Sequence, residues 1–165
     1  MSKIIGSMLI IVAGAGIGIS EGVEMKRHLD ALETLKRLFC LLKSELEYSH
    51  APFDEVFEKL SEKFTIAFQV WLLNLSEMLR QKKENFVEIW KQTIWSDLKK
   101  SNLKKQDLNE LEKLGCQLHY IESLNLYIEH LEYEIKKKRE EYGPKRKLCQ
   151  SIGIMGGIFL VILLL

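Results

Sequence analysis

Apolar side chains recur at three- and four-residue steps through most of this chain, the pattern of helices that each bury one stripe. From residue 21 to Tyr48 the stripe is Met25, Leu29, Leu32, Leu35, Phe39, Leu42 and Leu46. Ser49-His50-Ala51-Pro52 ends it, because the residue before a proline is pushed out of the α region. Pro52 suits the first position of a second helix, with Asp54 and Glu55 favourable in its first turn. Phe53, Val56, Phe57, Leu60 and Phe64 form the apolar face of that helix. A third is predicted over residues 66–81, with Phe68, Trp71, Leu72, Leu75, Met78 and Leu79 inward. Asn85 followed by Glu88 has the spacing of an N-cap with its capping-box acid, opening a fourth helix that carries Phe86, Ile89, Trp90 and Ile94. Ser101-Asn102 reads as a break. A fifth helix carries Leu103, Leu108, Leu111 and Leu114 and stops at Gly115, a residue suited to a C-terminal cap. The sixth places Ile121, Leu124, Ile128, Leu131 and Ile135 on one face and runs to Gly143-Pro144, a strong stop signal. No alternating strand pattern of useful length is present. The fold class predicted is all-α, an antiparallel bundle of about six helices with short connections.

Two stretches break the amphipathic rule. Residues 4–19 and 148–165 carry no charged side chain. As an α-helix the second would reach about 27 Å, near the roughly 30 Å thickness of a bilayer's hydrocarbon core. The first is shorter and marginal, and Ala13-Gly14-Ala15 has the small-residue form of a signal cleavage site. The basic flanks favour a retained anchor. Lys26 and Arg27 follow the first stretch, and Lys136 to Arg139 with Lys145, Arg146 and Lys147 precede the second. Both flanks lie on the side of the middle segment, which the positive-inside rule assigns to the cytosol. The organisation expected is therefore a transmembrane helix in residues 1–20, a cytosolic helical bundle in 21–147 and a second transmembrane helix in 148–165. With the last apolar run as the second span, no further soluble domain is expected beyond it. Each span holds one GxxxG pair, Gly14 with Gly18 and Gly153 with Gly157, a spacing that lets another helix approach closely.

Charge narrows the partners. The chain has 24 bases and 23 acids, and all of them except Lys3 lie in the middle segment, finely mixed. Such a neutral surface lacks the basic face of a nucleic-acid binder. The run from Lys136 to Arg139 with Lys145–Lys147 suits anionic lipid headgroups as well as setting topology. Three cysteines, Cys40, Cys116 and Cys149, cannot all pair within the chain and do not form a secreted disulfide framework.

Candidate chemistry is sparse. Glu47-x-x-His50 has the spacing of one half of a di-iron carboxylate site, but the second pair and two further glutamates that such a site needs are missing. Cys116-x-x-His119 could offer two zinc ligands, again without a second pair, so a partly buried thiol beside a surface histidine is the plainer reading. His28 and His130 fall on charged helix faces, and Trp71, Trp90 and Trp95 read as core with one indole exposed. GAGIGI in the first apolar stretch lacks the strand and final glycine of a dinucleotide fingerprint. The expectation is a protein that is not an enzyme, with no cofactor, no metal and no small-molecule substrate.

Several local segments resemble the stage III sporulation protein AB family. Leu35-x-x-Leu38 is followed by Leu42-x-Ser44-Glu45-Leu46-x-Tyr48-x-His50-Ala51-Pro52-Phe53, similar to that family's LxSEIxYxxTPL segment. Trp90 with Leu98, and Leu111-x-x-Leu114-Gly115-x-x-Leu118, resemble its middle and later motifs. Departures fall at Ala51, where the family has threonine, and at His119, Glu122 and Leu126. The resemblance implies a bundle like the cytosolic part of the inner-membrane F protein of type II secretion systems. It also implies a place in the channel linking mother cell and forespore, with a cytosolic secretion-type ATPase and other membrane subunits as partners. Carried over, the matched positions are Glu45, Tyr48 and Pro52, with Tyr48 and Pro52 at the corner between the first two helices. Glu45 is either an ion-pair partner within the bundle or a docking contact. Two readings stand: a non-catalytic membrane platform on the mother-cell side, or a two-span adaptor with a helical interaction domain.

Overall fold

A computed structural model describes residues 2–49, 51–81, 85–118 and 121–164 and, within these, side chains from 20 to 144 and at 151 and 155. Among the described residues six α-helices follow one another: α1 (Ser2–Tyr48), α2 (Phe53–Ser61), α3 (Ile66–Gln81), α4 (Phe86–Asp97), α5 (Lys105–Gly115) and α6 (Ile121–Leu164). A 3-10 turn, Leu98–Lys100, joins α4 to α5, and no strand occurs among the described residues. The all-α expectation holds, and α3 occupies the predicted residues. Two compact units divide the chain, one made of Asp30–Ile135 and the other of Met1–Leu29 together with Lys136–Leu165.

In the unit Asp30–Ile135 the core is a set of leucines around an aromatic centre. From α1, Leu32, Leu35, Leu38, Phe39 and Leu42 are buried, at three- and four-residue steps that keep them on one side of the helix. Phe39 meets Tyr127 of α6 edge-on at 5.0 Å, and Lys36 pairs with Glu132 of α6 at 3.3 Å. Residue numbers fall on α1 as they rise on α6, so these two helices run antiparallel within this unit. The start of α2 lies against the end of α3, since Ser76 Oγ donates to the Asp54 carbonyl at 2.8 Å and Arg80 Nε reaches Asp54 Oδ2 at 3.3 Å. Arg80 also pairs with Glu58. Between α3 and α4, Trp71 with Thr93 and Asn74 with Asp97 advance in the same sense, so α4 does not simply double back along α3.

The centre is Trp90. Its indole is fully buried, 5.2 Å from Trp71, 5.8 Å from Phe86 and 6.3 Å from Phe57. A buried indole N–H needs an acceptor. Trp90 Nε1 donates to the Leu111 carbonyl of α5 at 2.9 Å, and Trp71 Nε1 donates to Thr93 Oγ1 at 3.2 Å. Thr93 Oγ1 in turn donates to the Trp90 carbonyl at 3.1 Å, and no buried side-chain N or O among the described residues lacks a partner. Trp95 is half-buried, its Nε1 donating to Glu112 Oε2 at 2.7 Å, so no indole stands fully exposed.

Five sequence expectations are corrected. Gly143-Pro144 does not stop the sixth helix, because α6 continues through Pro144 to Leu164. Proline forfeits one intrahelical hydrogen bond, yet its fixed φ is itself helical, and both residues are exposed, so the freed carbonyl can face water. Asn85 is the N-cap of α4 but makes no side-chain cap bond, so the capping box with Glu88 is not formed. That bond appears instead at α5, where the Lys104 backbone N–H donates to Asp107 Oδ2 at 2.7 Å. Phe64 lies beyond α2, its ring beneath the Arg37 guanidinium at 5.9 Å. His28 is buried rather than on a charged face, and Cys116 is exposed rather than partly buried.

Gly115 is the last residue of α5, as expected, but for another reason than capping. The cap position is Cys116 in ordinary right-handed geometry. A Cβ on Gly115 would lie 2.7 Å from both Cγ and Nε1 of Trp90. The glycine is there because an indole lies on its backbone.

Among the described residues no helix is long and apolar enough to cross a membrane. The stretches 4–19 and 148–165, where spans are predicted, lie outside the described side chains except at positions 151 and 155. Gly14, Gly18, Gly153 and Gly157 belong to that part of the chain.

Candidate functional site

The corner between α1 and α2 brings the three matched positions together. Helix α1 ends at Tyr48, with the Ser49 N–H still bonded to the Glu45 carbonyl at 2.9 Å. Pro52 then takes an extended conformation, φ −63° and ψ 152°, as N-cap of α2, and its carbonyl accepts the Val56 N–H at 3.2 Å. Proline, expected at the first helical position, is instead the N-cap, one residue before the helix starts at Phe53, while Asp54 and Glu55 occupy the first turn as expected. Between them, the Ala51 N–H reaches Ser49 Oγ at 3.4 Å. His50 lies outside the described residues, and with it the Glu47-x-x-His50 pair.

Glu45 resolves toward the ion pair. Lys59 Nζ of α2 donates to Glu45 Oε2 at 2.8 Å, closing the corner from the side. That hydrogen bond, reinforced by the charges of Lys59 and Lys63, holds the Glu45 carboxyl below the usual carboxylate range against the opposing effect of desolvation. A lowered folded-state pKa means the pair's contribution is present at neutral pH and fades as pH falls through it. Lys59→Gln is expected to return Glu45 toward the ordinary carboxylate range, read as an upward shift of its side-chain carboxyl titration by NMR. Tyr48 is the opposite case. The residue is 83% exposed, so it packs little at the corner, where it was expected to shape the turn, and is open to whatever approaches. Pro52 is exposed beside it. A braced corner bearing an open phenol and a proline suits contact with another protein; aromatic residues are enriched at such contacts.

A second concavity was not visible in the sequence. Helices α5 and α6 border an open groove of about 460 Å³ lined by the apolar Leu114, Leu126 and Tyr127 and by Lys113 and Gln117. His130 and Glu110, paired at 3.0 Å, close one side. The Tyr127 phenol is pushed well above its usual range, first by burial and then by the charges of Glu110 and Asp107. The periodic reading placed Ile121 and Ile128 inward and overlooked Tyr127. The structure buries Leu124, Leu131 and Ile135 as expected, adds Tyr127, and leaves Ile128 half-buried and Ile121 40% exposed.

Cys40 and Cys116 are free and exposed, and His119, the other member of the Cys116-x-x-His119 pair, lies outside the described residues. Among the described residues no three His, Cys, Asp or Glu side chains converge as metal ligands.

Compared with known proteins, residues 3–165 match the family model described as stage III sporulation protein AB. No curated protein and no solved structure matches the chain.

Proposed function

The chain belongs to the stage III sporulation protein AB family, and from that premise we propose that it is a non-catalytic membrane platform of a sporulation-specific, secretion-like channel between mother cell and forespore. In this reading the middle helices meet a cytosolic secretion-type ATPase, and the two apolar ends hold the protein in the membrane beside other subunits. One observation carries it. The family match runs from residue 3 to residue 165, so it takes in both charge-free stretches and the helices between them as one unit. The distribution of Lys and Arg around those stretches supports a cytosolic, mother-cell side for the middle segment.

The α1–α2 corner is the proposed docking point, because it combines the matched residues Glu45, Tyr48 and Pro52 with an exposed aromatic ring. The test is recovery of the ATPase with the full chain from detergent-solubilised sporulating membranes. The ATPase is expected to co-purify with the parent chain. Tyr48→Ala combined with Glu45→Arg is expected to lower recovery about tenfold or more, the usual consequence of losing an interface hot spot. Parent chain recovered without the ATPase would overturn the docking reading and leave the two-span adaptor as the alternative.

A further inference from the structure

The outer face of α3 is the least explained surface of the unit Asp30–Ile135. From Phe64 to Ser76 the sequence holds no charged residue, although 28% of the chain is charged. The inward side of that run, Phe68, Trp71, Leu72 and Leu75, is buried, as a charge-free stretch should be. The outward side carries apolar residues too, beside the polar Thr65, Gln69 and Asn74. Ile66, Val70 and Leu73 are 79%, 44% and 42% exposed, and their spacing of four and three residues puts them on a single stripe. Isolated surface hydrophobics need no explanation, but three in line on one helix, with no charge among them, mark an interaction surface.

We propose that this stripe is the contact between two copies of the chain, paired antiparallel about a two-fold axis through Val70. The charge pattern selects this occupant. Val70 stands near the middle of the stripe, about 6 Å along the helix from Ile66 and about 4.5 Å from Leu73. A two-fold there sets Val70 against Val70 and Ile66 against Leu73, apolar on apolar throughout, as a self-complementary interface requires. It also sets the ends in register. Lys63 is in the turn before α3, and Glu77 is the first charged residue after the stripe. The antiparallel pair brings Glu77 of each copy toward Lys63 of the other. The first turn of α3 contains no acidic residue of its own, so its positive helix end adds to that attraction. A parallel pairing would instead place Lys63 beside Lys63 and Glu77 beside Glu77. This inference does not depend on the ATPase or on membrane placement.

The experiment uses the full chain in detergent with Cys40, Cys116 and Cys149 replaced by serine. Val70→Cys is expected to form a disulfide-linked homodimer as the main product of mild oxidation, since packed helix axes 8–10 Å apart bring Cβ atoms on the two-fold within bonding range. Asn109→Cys, at an exposed position of α5, is the control and is expected to stay monomeric. Val70→Glu places like charges across the axis and is expected to weaken association measured by sedimentation at least about tenfold. Co-expressed Val70→Glu and Val70→Lys chains are expected to pair with each other. Unchanged helical ellipticity of the Val70 variants separates lost contact from lost fold. The proposal is overturned if the Val70→Cys chain remains monomeric, if it links to a different protein, or if Val70→Glu associates as tightly as the parent.

Discussion

Trp90→Ala is expected to remove about 3–5 kcal/mol of stability, a large share of what a domain of this size usually has. The reason is the number of elements meeting at one side chain. Trp90 lies on α4, packs on Trp71 of α3 and Phe57 of α2, and donates its indole N–H to Leu111 of α5. Truncation therefore opens a cavity against three helices and removes a buried hydrogen bond at once. Thermal unfolding of the full chain in detergent, followed by helical ellipticity, is the measurement, with the midpoint expected to fall by about 10 °C or more. A fall of only a degree or two would mean that the aromatic centre is not what holds α3, α4 and α5 together.

Gly115→Ala is expected to cost about 3 kcal/mol, although it adds one methyl group to a helix, where alanine is ordinarily favoured over glycine. The new Cβ would lie 2.7 Å from Trp90 Cγ, and a fully buried indole bonded to Leu111 cannot step aside. The two substitutions are therefore coupled. In a Trp90→Ala background the same Gly115→Ala change is expected to cost less than about 0.5 kcal/mol, or to stabilise, because the obstacle is gone and helix propensity remains. Additive losses in that double-mutant cycle would show that Gly115 is required for something other than room for the indole.

These two residues illustrate what a sequence conceals. Gly115 was legible as a helix end, because α5 does stop there; that it ends under a tryptophan is a long-range fact with no local trace. Helices α3 and α4 were legible because Phe68, Trp71, Leu72 and Leu75, then Ile89, Trp90 and Ile94, repeat at helical steps between clear breaks. The end of the sixth helix was not, since a long helix can run through a proline that local reading takes as a stop. Tyr127 was missed because isoleucines at 121 and 128 outweigh a tyrosine on any hydrophobicity scale. Tertiary contact with Phe39 decided the matter instead. At the corner, Pro52 and the Glu45 ion pair could be anticipated from turn chemistry and charge. The partner, Lys59, could not, as its place depends on how α2 folds back. The groove between α5 and α6 required both helices to be set side by side before it existed.

The tryptophans have a spectroscopic consequence. All three in the chain, Trp71, Trp90 and Trp95, belong to α3 and α4 within Asp30–Ile135, and none occurs in the apolar ends. Two are fully buried and the third is half-buried beside a carboxylate. Tryptophan emission of the intact protein thus comes from α3 and α4 alone. In a Trp95→Phe chain, a red shift of that emission would report water reaching the buried Trp71 and Trp90, whatever detergent or lipid surrounds the rest of the chain.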